Sequence, residues 1–245
     1  MSFPRFYVAP DQATLAPGIE LTLPPGVARH ALQVLRLRTG DAIALFDGRG
    51  GEYPATVASV GKSVRARLGK HASIEREPSI ALTLVQSLTA ADVMDWIVRK
   101  AVELGVAAIE PVVATRSQRA PAERLDRRTG RWQQIAIAAC EQCGRNRIPR
   151  IAPIEPLSEW LPRRGDLSDA VLLGPAAPTS LSALARIAVP TTVLIGPEGG
   201  FDDGELRAAA ARGARMGHLG ARVLRAETAA LAALATLNAI AGDAR

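Results

Sequence analysis

The stretch Leu194–Phe201 reads LIGPEGGF, and it decides the fold class of the carboxyl-terminal part of the chain. Three glycines and a proline follow directly on a short apolar run that predicts a buried strand. Glycine lets the main chain approach a ligand closely, so this loop can offer bare N–H and C=O groups to an adenine edge. The alternative interpretation is a tight turn that only connects a strand to a helix.

A second connection, Leu219–Thr228, reads LGARVLRAET and joins a predicted strand to the last predicted helix. Thr228 can cap that helix, and Glu227 complements the positive end of its dipole. Helix capping does not explain Arg222 and Arg225, three residues apart in an otherwise apolar loop. Arginine there could bind an RNA phosphate or stack on a base, although a solvated loop charge is the simpler alternative.

The glycine loop matches neither of the common nucleotide fingerprints. It has no Gly-Lys-Ser/Thr sequence, which would form a phosphate-binding loop, and no G-x-G-x-x-G sequence, which would bind a dinucleotide. A ligand that carries a phosphate chain is therefore disfavoured, and so is a nucleotide-dependent oxidoreductase.

From residue 80 onward, short apolar runs alternate with segments of helical periodicity, which predicts a mainly parallel α/β sheet. The predicted helices include Asp92–Leu104, stopped by Gly105, and Glu123–Arg145, weakened at Gly130. In such sheets ligands lie at the carboxyl ends of the strands. The predicted strands are Ile80–Gln86, Ala107–Val113, Ala170–Leu173, Thr192–Ile195 and Arg215–Leu219.

The residues before position 69 predict a small β-rich domain with strands at Asp41–Gly48, Glu52–Ser59 and Val64–Leu68. A short helix over Ala28–Leu37 would direct Ala31, Val34 and Leu35 inward. Gly69–Ser79 is polar and charged, as is typical of a linker. We therefore predict two domains, 1–72 and 73–245.

The 245 residues carry 30 Lys and Arg against 24 Asp and Glu, a net charge of +6 that suits a polyanionic partner. Basic residues form two clusters, which we predict to contact RNA: Arg5, Arg29, Arg36 and Arg38, and then Arg145 and Arg147. The amino terminus lacks the apolar run of a secretory signal, and no apolar stretch is long enough to span a bilayer. We expect a cytoplasmic protein with no membrane partner.

Cys140 and Cys143 are the only cysteines, so no disulfide framework is possible. A single C-x-x-C pair without further ligands is weak evidence for zinc, because a structural site needs about four ligands. The sequence therefore predicts no metal site.

The motifs together resemble the RsmE family, bacterial 16S rRNA uridine-N3 methyltransferases of the SPOUT, or trefoil-knot, superfamily. The resemblance lies in Gly196–Phe201 and Leu219–Ala229, in the helical segments Lys100–Val106 and Trp132–Arg145, and in the segments Arg29–Asp41 and Leu45–Gly48. These segments are collinear and span nearly the whole chain.

The resemblance implies an N-terminal PUA-like β-barrel domain and a C-terminal SPOUT α/β domain with a trefoil knot. It also implies the cofactor S-adenosylmethionine, a homodimer, and 16S rRNA in the small ribosomal subunit as the partner. The donor-binding residues it implies are Leu173, Ile195, Gly196, Pro197, Glu198, Gly199, Gly200, Leu219, Gly220, Val223, Leu224 and Thr228.

Methylation at uridine N3 requires an exposed base edge and stabilisation of the negative charge that develops on the ring. We assign that catalytic role to Arg225, and phosphate binding to Arg5 or Arg36. Two alternatives stay open: a methyltransferase of the same superfamily that acts on another rRNA or a tRNA position, and a non-catalytic RNA-binding protein that has kept the fold.

Overall fold

The computed structural model describes residues 3–118, 122–187, 189 and 191–242, with only the backbone described at 122–126 and 187. These residues form two compact units. The first contains the chain up to Glu77 and the segment Ile137–Ile148; the second contains Pro78–Ala136 and the described residues from Pro149 onward. The domain limits 1–72 and 73–245 remain a prediction.

The first unit is built on a mixed sheet, as expected from the β-rich amino-terminal sequence. Its described strands pair in the order β1-β3-β4-β5-β2, with β1 parallel to β3 and the other pairs antiparallel. Val64, Ala66 and Leu68 are buried while Arg65 and Arg67 are exposed, so β5 shows the alternation of a half-buried strand. The elements are β1 (Arg5–Tyr7), β2 (Glu20–Thr22), α1 (Pro25–Arg29), β3 (Ala42–Phe46), β4 (Tyr53–Val60) and β5 (Val64–Leu68).

The predicted helix over Ala28–Leu37 is wrong in its second half. A turn of π-helix, His30–Val34, follows α1, and the Leu35 amide donates to the His30 carbonyl at 3.2 Å, five residues back. The wider turn rotates the following side chains relative to an α-helix. Ala31 is buried as predicted, but Val34 is 66% exposed and Leu35 is 41% exposed.

The segment predicted as a linker, Gly69–Ser79, lacks regular strands and helices, but side-chain contacts tie part of it to the rest of the first unit. Glu75 pairs with Arg147 at 3.1 Å, and Glu77 pairs with Arg145 at 2.5 Å. The Arg76 guanidinium donates to the Gly144 carbonyl at 2.7 Å. Alternating charges, which suggested a solvated linker, here form ion pairs within one unit.

Glu52 lies at the centre of a buried ionic group in the first unit. It accepts a short hydrogen bond from Arg5 and lies 3.4 Å from the Arg76 guanidinium. The Arg5 guanidinium also donates to the Asn146 side-chain oxygen at 2.6 Å. Burial alone would raise the pKa of Glu52, but the hydrogen bond and charge of Arg5 outweigh it, and the pKa is held below its ordinary value.

Glu52→Gln is expected to destabilise the first unit by about 3 kcal/mol, because the substitution leaves Arg5 buried without its counter-charge. Hydrogen exchange of the β3–β5 amides would measure the free energy of opening. Glu20→Gln is the matched control: Glu20 pairs with Arg65 and Arg67, which are 52% and 69% exposed, so its loss should cost less than about 1 kcal/mol. If Glu52→Gln and Glu20→Gln lowered the free energy of opening equally, the stabilising role assigned to the buried Glu52–Arg5 pair would be contradicted.

The ion pair between Glu52 and Arg5 also predicts how the stability of the first unit depends on pH. Since the pKa of Glu52 is lowered by folding, its contribution to stability is complete above the ordinary carboxyl value of about 4.3. That contribution is lost as the pH falls through the lowered pKa. The difference in opening free energy between the wild type and Glu52→Gln should therefore shrink below about pH 4.

The second unit is a parallel α/β domain, as predicted. Its described strands pair in the order β11-β13-β10-β12-β6-β7-β8, with β9 beside β7, and each pairing is parallel. The strands are β6 (Thr83–Ser87), β7 (Ala108–Val113), β8 (Arg150–Ile151), β9 (Glu155–Pro156), β10 (Ala170–Leu173), β11 (Thr179–Ser180), β12 (Thr192–Ile195) and β13 (Arg215–His218). The helices are α2 (Ala91–Glu103), α3 (Ala122–Cys143), whose last turns belong to the first unit, α4 (Leu157–Arg164), α5 (Leu181–Ile187), α6 (Asp203–Ala210) and α7 (Ala226–Ile240).

Helices pack against this sheet in two groups. On one side, Trp160 of α4 and Ala209 of α6 join a buried cluster with the strand residues Val85, Leu172 and Leu194. The other group consists of α2 and α5, which both pack against α7, and α7 also contacts β12. Apolar side chains and helices therefore cover the faces of the sheet, and the place for a ligand is where the strands end.

Candidate donor-binding site

Three loops leave the carboxyl ends of neighbouring parallel strands and surround one cavity of about 570 Å³. The strand register explains why they meet: Leu173 of β10 lies opposite Ile195 of β12 and Gly217 of β13. The cavity brings together all but one of the predicted donor-binding residues, together with Arg225. These are Leu173, Ile195, Gly196, Pro197, Glu198, Gly199, Gly200, Leu219, Gly220, Val223 and Leu224.

The glycine loop after β12 is a tight turn of bare main chain. The Gly200 amide donates to the Pro197 carbonyl at 2.8 Å, and Gly200 has a φ of 68°, in the left-handed region that favours glycine. A Cβ on Gly196 would lie 3.1 Å from the Phe201 nitrogen and 3.2 Å from the Gly200 Cα. The loop therefore folds back on itself so closely that a side chain at position 196 would press on the main chain of the turn.

The loop after β13 combines a second glycine turn with two unpaired cations. Gly220 has a φ of 103°, and its amide donates to His218 Nδ1 at 3.0 Å. Arg222 and Arg225 both line the cavity, and neither guanidinium group has a hydrogen bond or ion pair with any part of the chain that the structure describes. Val223 is 81% exposed, so this loop presents an apolar side chain and two guanidinium groups to solvent.

Thr228 is the one predicted donor residue that does not line the cavity, and its predicted role as a helix cap is wrong. The helix α7 begins at Ala226, and its N-cap is Arg225, with extended backbone and no side-chain cap. Thr228 is therefore the third helical residue and is exposed. Glu227 lies in the first turn, as predicted, where it complements the helix dipole.

Several cavity residues escaped the sequence analysis. They come from the loop after β10, from the end of β13, from the start of α7 and from α2, whose Val93 faces the cavity: Val93, Gly174, Pro175, His218, Ala226 and Ala229. Gly174 and Pro175 follow directly on β10, so the rule that ligands lie after strand ends could have found them. Val93 belongs to a distant segment, and nothing in its local sequence indicates a site.

Comparison with known proteins assigns the chain to a family. The family model of an RNA methyltransferase domain matches residues 75–238, and that of an RNA methyltransferase PUA domain matches residues 23–68. The chain is 30% identical over 241 residues to ribosomal RNA small subunit methyltransferase E of Synechocystis sp., covering 96% of this chain and 77% of that protein. The chain belongs to the ribosomal RNA small subunit methyltransferase E family.

Solved structures of this family have the same fold. The family member from Neisseria gonorrhoeae, bound to S-adenosylmethionine, is 35% identical, with a TM-score of 0.87 over 97% of both chains. A methyltransferase of Legionella pneumophila in complex with the same cofactor is 34% identical, with a TM-score of 0.87 over 98% of both chains. The predicted fold class, a PUA-type domain followed by an α/β methyltransferase domain, is therefore confirmed.

The six arginines predicted to contact RNA fall into three groups. Arg29, Arg36 and Arg38 are exposed on the first unit, and their side chains make no ion pair within the described residues. Arg5 and Arg145 have side chains that are only 8% and 4% exposed, and both are paired with carboxylates. Their assignment to RNA is corrected, because a buried, paired guanidinium stabilises the unit and cannot reach a phosphate. Arg147 is 54% exposed but pairs with Glu75.

Cys140 and Cys143 both lie in α3 and are free thiols. Burial raises the pKa of the Cys140 thiol to about 12, so it remains protonated at neutral pH. Within the described ranges, no group of three or more His, Cys, Asp or Glu side chains is arranged to hold a metal ion. Likewise, no described helix is both long and apolar enough to cross a bilayer.

Proposed function

We propose that this protein transfers the methyl group of S-adenosylmethionine to N3 of a specific uridine in 16S rRNA, in the assembled small ribosomal subunit of the cytoplasm. One observation carries the proposal: three loops at adjoining strand ends enclose one cavity that joins bare main-chain turns to two arginines whose guanidinium groups have no partner among the described residues. The bare main-chain turns suit a nucleoside-like donor, and the arginines suit a nucleic-acid acceptor. The activity and substrate named for the relatives support the same assignment.

The residues present fit the donor. A cavity of about 570 Å³ lies within the range of about 300–1,000 Å³ usual for ligands of this size. Leu173, Ile195 and Leu224 would supply apolar walls for the donor's adenine ring. The glycine turns would supply main-chain donors and acceptors for its edge, and the carboxylates of Glu198 and Glu227 would complement a positive charge. When bound, the sulfonium supplies an activated methyl group, so the residues of this chain act mainly by placing the acceptor.

Arg225 is placed to assist the acceptor. Uridine N3 is protonated in the neutral base, so negative charge develops on the ring as that proton leaves. A guanidinium that lines the cavity and has no partner among the described residues can donate hydrogen bonds to the uracil oxygens. Its position as N-cap of α7 adds the positive end of the helix dipole.

The first unit offers a surface for the rRNA backbone. Arg29, Arg36 and Arg38 are exposed around the π-helical turn, next to the exposed side chains of Val34 and Leu35. Free guanidinium groups bind phosphates, and apolar groups contact unstacked bases. We assign RNA binding to these three arginines and to Arg147, which is 54% exposed.

Two structural features complete the proposal. A trefoil knot is supported by the sheet order, since β13 lies between β10 and β11, which precede it in the chain. A homodimer is supported by exposed apolar side chains on two helices that contact each other, Trp96 of α2 and Ile240 of α7. Sedimentation of the purified chain would measure its oligomeric state.

The test is mass mapping of modified nucleosides in 16S rRNA from cells with and without this protein. We expect one N3-methyluridine to disappear and to return when the wild-type chain is restored. Loss of a different methylated nucleotide would instead support a related enzyme with another target. Unchanged rRNA, with RNA binding retained by the purified chain, would support a non-catalytic RNA-binding protein.

A further inference from the structure

Arg116 lies outside the predicted site, in the loop between β7 and α3, yet it contacts the glycine loop directly. Its guanidinium donates to the Gly199 carbonyl at 2.8 Å and, at 3.5 Å, to the Phe201 carbonyl. Its aliphatic stem packs on the same residue, since a Cβ added to Gly199 would lie 3.3 Å from the Arg116 Cβ and Cδ.

The loop that carries Arg116 is itself anchored on both sides. The Thr115 amide and hydroxyl donate to Glu205 Oε1 at 2.8 and 3.2 Å, and Ser117 Oγ accepts from the Ala114 amide at 3.0 Å. Glu205 also forms a reciprocal capping box with Asp202 at the start of α6, the helix that follows the glycine loop. The segment that carries Arg116 is therefore bonded, through Glu205, to the first turn of α6, the helix in which the glycine loop ends.

The contact acts on one peptide unit. The Gly199 carbonyl accepts from Arg116, and the amide of the same peptide, on Gly200, donates to the Pro197 carbonyl at 2.8 Å. A peptide between two glycines meets little steric resistance to flipping, because neither residue has a Cβ. Two hydrogen bonds, one at each polar atom, select a single orientation of this peptide in the wall of the cavity.

We propose that Arg116 is a positioning residue for the methyl donor: it fixes the Gly199–Gly200 peptide in the orientation that completes the donor-binding wall. This inference rests on the proposed function, because it takes the cavity to be the site of S-adenosylmethionine. Arg116 acts on the donor through the main chain and leaves the transfer step itself unchanged.

The test is calorimetric titration of S-adenosylmethionine into the full chain, combined with steady-state kinetics on small-subunit rRNA. Arg116→Ala should raise the donor Kd and KM roughly tenfold, the factor that the loss of one charge-assisted hydrogen bond produces. At saturating donor, kcat should stay within about twofold of the wild type, because uniform binding alone is lost. Arg116→Lys, which can still donate to the Gly199 carbonyl, should recover most of the affinity.

Arg212→Ala is the matched control. Arg212 also donates a guanidinium hydrogen bond to a main-chain carbonyl, that of Ala208 at 2.8 Å, but it contacts α6 rather than the glycine loop. This variant should bind the donor with wild-type affinity and should melt at the same temperature as Arg116→Ala within a few degrees.

A double-mutant cycle with Gly199→Ala tests whether Arg116 affects donor affinity through its contact with Gly199. The added methyl presses on the Arg116 stem, so it should weaken donor binding in the wild type and have a smaller effect in the Arg116→Ala background. Additive effects, wild-type affinity of Arg116→Ala, or no recovery with Arg116→Lys would each overturn the inference while the proposed function stands. A wild-type chain that binds no S-adenosylmethionine would overturn both.

Discussion

Arg225→Ala should lower kcat for methylation of small-subunit rRNA by about 100-fold, the loss usual when one donor to a developing negative charge is removed. The guanidinium lines the cavity and has no partner within the residues that the structure describes, so no internal ion pair competes for it. Donor affinity should change by less than about threefold, because the charge that Arg225 stabilises is present only in the transition state. Single-turnover rates at saturating donor would measure the effect on the transfer step.

Two further variants make this result specific. Arg225→Lys keeps the charge but loses the planar fork of donors, so its rate should fall between those of the wild type and the alanine variant. Arg207→Ala removes an exposed arginine from α6, away from the cavity lining, and should leave the rate unchanged. If Arg225→Ala methylates rRNA at the wild-type rate, Arg225 has no part in the transfer.

Gly196→Val should weaken binding of S-adenosylmethionine by about 100-fold, equivalent to about 2.7 kcal/mol. A Cβ at this position already lies 3.1 Å from the Phe201 nitrogen, and the methyl groups of valine would come closer still. The turn must then open, which displaces the main-chain groups of residues 196–200 from the cavity wall. The loss corresponds to about two hydrogen bonds between main chain and ligand.

Gly199→Val is the comparison that distinguishes displacement of the loop from a general effect of bulk. The nearest neighbours of a Cβ on Gly199 are the Cβ and Cδ atoms of Arg116, both at 3.3 Å, so the added group meets an exposed side chain and not the main chain of the turn. Its donor affinity should therefore fall less than that of Gly196→Val. Calorimetry on both variants, with thermal melting to confirm folding, would decide; a larger loss for Gly199→Val would contradict the geometry of the loop described above.

The parts of the fold that sequence analysis predicted correctly are those where a local pattern and the tertiary environment agree. The strands β10 and β12 were predicted at their observed limits because each is a short apolar run bounded by polar residues or turns. The buried face of α2, with Met94, Ile97 and Val98, followed from helical spacing, and Gly105 ends that segment with a φ of 79°.

Local patterns failed where the outcome depends on a distant partner or on a backbone irregularity. The π-helical turn after α1 turned Val34 and Leu35 outward, although their spacing fits an inward face. The short helix α4 was missed because Pro162 lies inside it and argues against a helix. Arg5 and Arg145 look like any exposed arginine in sequence, and only the folded chain shows the carboxylates that pair with them.

The sequence by itself indicated two of the loops that line the cavity, because the glycine motifs follow strand ends and parallel strands bring the loops at their carboxyl ends to one edge. Only the tertiary structure decided how their residues differ. It distinguishes Gly196, enclosed by main chain, from Gly199, which meets a side chain. It also separates Arg225, whose guanidinium has no partner among the residues described, from Arg5, which is buried and paired. The physical reason is that steric enclosure and charge pairing depend on atoms far apart in the chain, which local sequence does not specify.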